Sequence, residues 1–228
     1  MQSKQPIQDV AKVIVSFSDS YAQNKQRKQN EQYESESTTS LTKVTSRLEY
    51  LWRQIENKKS CKQVIRIPKL LQSLISLVTF RLGTHLREEK DRQRLEVRHH
   101  SRQCLRQIRM YGDAQNFADL VNVGYGRVIS IAFCTAGGVG EEQDAQIWNV
   151  LNSIYNFLRQ LHEGKTNDQQ PSFQPLPLLA RRTEEQIEEE GANEELEAQI
   201  KNNENNGYIK SWAKFAKTAT LNCFIRRR

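Results

Sequence analysis

The sequence predicts an all-α protein: a short right-handed superhelical solenoid of about three degenerate helical-pair units, followed by a C-terminal amphipathic helix. Three observations predict it. The stretch 145–162, AQIWNVLNSIYNFLRQLH, places Ile147, Val150, Leu151, Ile154, Phe157, Leu158 and Leu161 at steps of three and four, the spacing of an amphipathic helix of about five turns. The stretch also recurs. Leu158-Arg159-Gln160-Leu161 follows Leu105-Arg106-Gln107-Ile108 by 53 residues, and that string follows Trp52-Arg53-Gln54-Ile55 by another 53, as in a structural repeat. Finally, five Pro and ten Gly in 228 residues favour helices over an all-β fold.

The three RQ helices share a core phase. Ile147, Val150, Ile154, Phe157 and Leu161 stack on Arg94, Val97, Ser101, Cys104 and Ile108, and these on Leu41, Val44, Leu48, Leu51 and Ile55. The first and third copies are apolar at all five sites and the middle copy at three.

In chain order, residues 7–21 read as a helix with Val10, Ile14 and Phe17 inward, and the polar run 22–37 reads as a mobile loop. The first RQ helix runs from a Thr38, Thr39 or Ser40 cap to about Lys58. Pro68 is expected at the first position of a buried helix ended by Gly83. A charged connection, 84–93, leads to the second RQ helix. Residues 117–123 form a short helix that Gly124 and Gly126 break, and Val128 to Cys134 is a second buried segment. The glycine loop 137–140 precedes the third RQ helix, which Gly164 stops. Residues 165–182, with Pro171, Pro175 and Pro177, read as a linker, and 184–197, with eight glutamates, as an exposed helical or disordered run; together they make the 165–206 stretch a linker with an acidic run. Residues 207–228 form a basic amphipathic helix, with Ile209, Trp212, Ala213 and Ala216 on one face and Lys210, Lys214 and Lys217 on another. The domain boundaries are therefore 1–164, 165–206 and 207–228.

Composition narrows the function classes. Hydrophobic residues are 37% and charged residues 27% of the chain, which implies a thin, spread-out core. The net charge of +7 is uneven: residues 1–113 hold 22 Lys/Arg against 12 Asp/Glu, and residues 114–228 hold 12 against 15. The basic half invites nucleic acid as a partner, but its charges alternate in sign, as in Arg87-Glu88-Glu89-Lys90, and fit a solvated helix face better. No apolar run approaches the ~18 residues of a membrane span, and the first residues carry no signal-peptide apolar region. The expected location is cytoplasmic or nuclear. Cys61, Cys104, Cys134 and Cys223 have no metal spacing, and no cofactor or catalytic motif is present. Gly137-Gly138-Val139-Gly140 lacks the Lys-Ser/Thr of a phosphate loop. The chain reads as no enzyme, with a regulatory module detached from a larger enzyme as a further alternative.

Asp119-Leu120-Val121-Asn122-Val123-Gly124-Tyr125 followed by Val128-Ile129 resembles the start of an armadillo unit, and Ile147-Trp148-Asn149-Val150-Leu151-Asn152 resembles the third-helix motif of peptide-binding armadillo proteins. The resemblance to the armadillo/HEAT-type solenoid family covers about two-thirds of the chain, with a period longer than usual. The acidic-then-basic tail resembles tails that follow armadillo-like arrays in protist proteins. The resemblance implies a scaffold that binds another protein, through an extended or acidic segment laid across the RQ helices.

Trp148, Asn152, Tyr155 and Arg159 lie on one stripe, about 100° from the core stripe. The amide of Asn152 suits backbone recognition and the indole of Trp148 a side-chain pocket; Arg159 and Arg106 would be flanking cations. The plainer alternative, that Trp148 packs against a neighbouring segment and Asn152 is merely solvated, accords with the usual burial of large aromatics.

Overall fold

In the computed structural model the described residues are 5–27, 38–56, 63–82, 88–136, 144–166, 171–202 and 207–225. Among them the chain is all helical: α1 (Gln5–Arg27), α2 (Thr38–Glu56), α3 (Leu70–Val78), α4 (Glu88–Tyr111), α5 (Ala114–Asn122), α6 (Tyr125–Ala136), α7 (Asp144–Glu163), α8 (Pro177–Glu189), α9 (Ala192–Lys201) and α10 (Gly207–Ile225). The strand-like pairing among these residues is an isolated antiparallel bridge between Lys165 and Phe173. The helices gather into two compact units, Met1–Gly112 and Asp113–Arg228.

In the first unit α1 packs on α2 and α3, and α4 packs on α2 and α3. The two RQ helices of this unit run in the same direction: Gln93 Nε2 donates to Thr42 Oγ1 at 3.5 Å near their starts, and Cys104 Sγ donates to the Leu48 carbonyl at 3.5 Å further along. The five expected core positions of α2 and the five of α4 are all buried. In α4 that phase carries polar groups inward. Arg94 is buried beside Asp91 at 3.6 Å, and the buried Arg98 donates from Nη1 to the Phe80 carbonyl at 3.2 Å. Burying a guanidinium is unfavourable unless it is paired and hydrogen-bonded; Asp91 supplies an ion pair for Arg94, and the Phe80 carbonyl a hydrogen bond for Arg98.

In the second unit α6 and α7 pack together, α9 and α10 pack together, α9 lies on α6, and α10 lies on α7. Helix α8 covers α6 and α7. Asp113 starts α5 with a capping box: its carboxylate accepts from the Asn116 amide at 3.2 Å, and Asn116 Oδ1 accepts from the Asp113 amide at 2.9 Å. Gly164 ends α7 with φ of +80°, and a Cβ there would stand 2.6 Å from the Phe173 carbonyl oxygen, so both conformation and space require glycine.

Several boundaries differ from the sequence expectation. Helix α1 runs on to Arg27, and residues 28–37 of the expected loop lie outside the described residues, as do Gly83 and the glycine loop 137–140. Pro68 sits in a turn two residues before α3, with Lys69 left-handed at φ of 62°; proline disfavours helical backbone in the residue preceding it, so the turn comes first. The expected charged connection overlaps the first turn of α4, where Glu88, Glu89 and Asp91 favour the helix N-terminus. Gly124, at φ of +83°, does end α5, but Gly126 lies inside α6. A Cβ on Gly126 would meet Gln186 Oε1 at 2.9 Å and Thr183 Cγ2 at 3.0 Å, so this glycine lets α8 come close.

The largest difference is the segment expected to be a linker. Pro177 opens α8 in its first turn, and Ala180, Thr183 and Ile187 of α8 are buried, as are Ala192, Leu196 and Gln199 of α9. These residues recur at helical spacing among the glutamates. The density of charge masked a narrow packing stripe.

Ile154 and Leu51 are fully buried on α7 and α2. Ile154→Ala and Leu51→Ala should each lower the unfolding free energy by about 2–5 kcal/mol, while Lys43→Ala, on the exposed side of α2, should stay within about 0.5 kcal/mol. Denaturant titration measures all three, and equal small effects would show that the helix phase is wrong.

Candidate aromatic docking face

Five rings meet where α7 and α10 run side by side. Trp148 and Tyr155 come from α7, seven residues and about two turns apart. Tyr208, Trp212 and Phe215 come from α10 at the same helical spacing. Trp212 is the hub: it lies edge-on to Trp148, Tyr155, Tyr208 and Phe215, with interplanar angles of 85°, 74°, 71° and 70° and centroid separations of 5.8–6.4 Å. Trp148 also stacks on Tyr208 at 6.1 Å and 26°, and Tyr155 tilts against Phe215 at 5.8 Å. Edge-to-face pairs at this range each add about 0.5–1.5 kcal/mol beyond area burial.

Small residues make this approach possible. Ala213, Ala216 and Ala219 of α10 are buried, so the helix backbone can come close to its neighbours while the large rings are set to one side. The rings remain partly open to solvent: Tyr208 is 55% and Phe215 52% exposed, two of the four exposed large hydrophobic side chains among the described residues.

The α7 stripe read from sequence is therefore brought together, and α10 lies over part of it. Trp148 is half-buried against α10, and its indole Nε1 has no hydrogen-bond acceptor among the described residues. Tyr155 packs on the same helix, and the Arg159 guanidinium lies over the Tyr155 ring, 5.5 Å from its centroid. Asn152 is half-exposed between Trp148 and Tyr155. Its carbonyl accepts from Asn156 Nδ2 at 2.9 Å. Arg106 belongs to the first unit, on α4, half-buried with its Nε unpaired among the described residues. Sequence reasoning missed Tyr208 and Phe215. The signal was available: both flank Trp212 at helical spacing on a helix otherwise rich in alanine and lysine.

Cations border the rings. Lys210, Lys214 and Lys217 are the basic residues of α10, and α10 holds no acidic residue. Lys217 is engaged by Glu197 at 2.7 Å, a hydrogen bond that holds the glutamate below the usual carboxylate range. Arg159, Lys210 and Lys214 make no ion pair among the described residues.

Elsewhere among the described residues, the two cysteines are held as thiols. Burial pushes the Cys104 thiol far up and, with Glu195, Glu190 and Glu194 nearby, pushes Cys134 up to about 11, so neither is a thiolate at neutral pH. His100, beside Trp52 at 6.3 Å, is lowered by burial and by His99. No group of three or more His, Cys, Asp or Glu among the described residues could hold a metal ion, and none of the described helices is long and apolar enough by itself to cross a membrane.

The ring packing makes a prediction. Trp148→Phe removes the unpaired donor and keeps most of the ring, so the unfolding free energy should stay within about 1 kcal/mol of the parent. Trp148→Ala should cost roughly 2 kcal/mol or more. An alanine variant as stable as the parent would mean that the indole is not packed on α10.

Compared with protein-family models, curated proteins and solved structures, the chain matches none.

Proposed function

We propose that this chain is a non-enzymatic protein-binding scaffold built from armadillo-like stacked helical pairs, and that its docking surface is the aromatic face of α7 and α10. The half-exposed ring row carries the reading. Interfaces concentrate their binding energy in a few Trp, Tyr and Arg side chains, and Trp148, Tyr155, Tyr208, Trp212, Phe215 and Arg159 bring those residue types together. Leaving Tyr208 and Phe215 half in water is unfavourable for the free chain, and a partner would relieve it.

Parallel stacking within each unit supports the repeated-pair reading. Helix α4 follows α2 with contacts at residue separations of 51 and 56, close to the sequence period. Helix α10 follows α7 in the same sense, Trp148 meeting Tyr208 and Tyr155 meeting Phe215. The tail helix is then the counterpart of an RQ helix, and the Trp148–Asn152 stripe is the shared wall of a face completed by α10.

Nucleic acid is the alternative partner, because aromatic rings beside cations also bind single strands. The ring geometry favours protein. Trp212 is flanked by four neighbouring rings, so it is less open to a stacking base than an isolated ring.

The full chain, immobilised in native lysate, should retain a protein that a Tyr208→Ala/Phe215→Ala double variant retains at least tenfold less, a loss of about 1.4 kcal/mol or more. Thermal unfolding should stay cooperative in both. Equal retention would sink the docking face, and release of nucleic acid by moderate salt would favour the alternative.

A further inference from the structure

The face of α10 turned away from the core has a definite layout. Residues of a helix advance by about 100° each, so Ile209, Ala213, Ala216 and Thr220, all buried, point one way. Tyr208 and Phe215 form one edge of the outer face, Ser211 and Thr218 its middle, and Lys210 and Lys214 the opposite edge. Tyr208, Ser211, Lys214, Phe215 and Thr218 are exposed and Lys210 is half-exposed.

The middle is shallow and polar only in name. Ser211 Oγ donates to the Gly207 carbonyl at 2.9 Å, and Thr218 Oγ1 donates to the Lys214 carbonyl at 2.9 Å. Both hydroxyls thus return their protons to the helix's own backbone, and what faces outward is mainly a methylene and a methyl. A trough of small side chains between larger ridges is the surface into which a second helix packs, and an amphipathic helix laid in a groove is a recurring mode of recognition. The two edges specify which helix. One asks for apolar side chains against Tyr208 and Phe215. The other carries two lysines without ion-pair partners among the described residues, on a helix with no acid of its own.

We propose that the outer face of α10 docks an acidic amphipathic helix of a partner protein, with its apolar edge on Tyr208 and Phe215 and its carboxylates on Lys210 and Lys214. The bound helix lies on α10 much as α10 lies on α7. This rests on the docking-face reading above and adds the partner's conformation and charge. An anionic membrane surface fits less well, because in-plane insertion needs a broad apolar face and α10 exposes two rings.

The test is a display library of amphipathic helices with a fixed apolar stripe and a randomised flanking edge. It is selected on the full chain and counter-selected on the Tyr208→Ser/Phe215→Ser variant, whose helicity is checked by circular dichroism. Selected sequences should be enriched in Asp and Glu along the flanking edge. Binding of the best peptide, followed by fluorescence anisotropy, should weaken at least tenfold when its acids become amides, and at least tenfold on Lys210→Glu/Lys214→Glu. A lysine-edged version of the peptide should recover binding to that charge-reversed variant. Enrichment of neutral or basic edges that still depends on the rings would overturn the acidic helix and leave the docking face standing. No enrichment over the counter-selected variant would overturn both. Tighter, ring-dependent binding of oligo-dT or phosphatidylserine vesicles would overturn the proposal in favour of those ligands, and a dimer abolished by the same substitutions would make the occupant a second copy of this chain.

Discussion

The edge-to-face packing of Trp212 against four neighbouring rings is the contact on which the second unit's aromatic face depends. Among the described side chains of α10, little else of comparable size is buried: Ile209, three alanines and Thr220. Alanines allow close approach but remove little apolar area from water. The rings supply the area that the alanines lack, and their mutual geometry fixes how α10 sits on α7. The same rings are incompletely covered, so one set of side chains both holds α10 on α7 and presents apolar surface to solvent.

The first unit is built on another principle. Its RQ helices meet through a layer of Leu, Val, Ile and Cys, and α4 also turns Gln93, Arg94, Arg98, Ser101, Gln107 and Arg109 inward. Breaking one partner of a buried charged contact leaves the other uncompensated. Such a helix gains specificity of placement from its polar groups: Arg98 on the Phe80 carbonyl ties α4 to the end of the α3 segment.

Much of this was legible in the sequence because one period dominates. The fifteen positions assigned to a shared phase, from Leu41 to Leu161, are all buried, Arg94 and Ser101 of the middle copy included. Spacing carried that information even where hydropathy did not. The packing of α8 and α9 was hidden because glutamates outnumber their narrow buried stripe of Ala180, Thr183, Ile187, Ala192 and Leu196. The candidate site was half legible. Trp148, Tyr155 and Arg159 were marked by helical spacing, but what covers a stripe depends on contacts about 60 residues away along the chain, and local pattern says nothing of those. Tyr208 and Phe215 read as ordinary members of a basic helix until α10 was placed on α7.

The central claim is that the α7 and α10 rings act as one interlocked cluster, and a double-mutant cycle between Tyr155 and Trp212 tests it most directly. The cycle uses the unfolding free energies of the parent, Tyr155→Ala, Trp212→Ala and the double variant. A direct ring contact predicts a coupling of about 0.5–1.5 kcal/mol. Additive effects, with a coupling indistinguishable from zero, would contradict the account, because the two rings would then not be touching in solution.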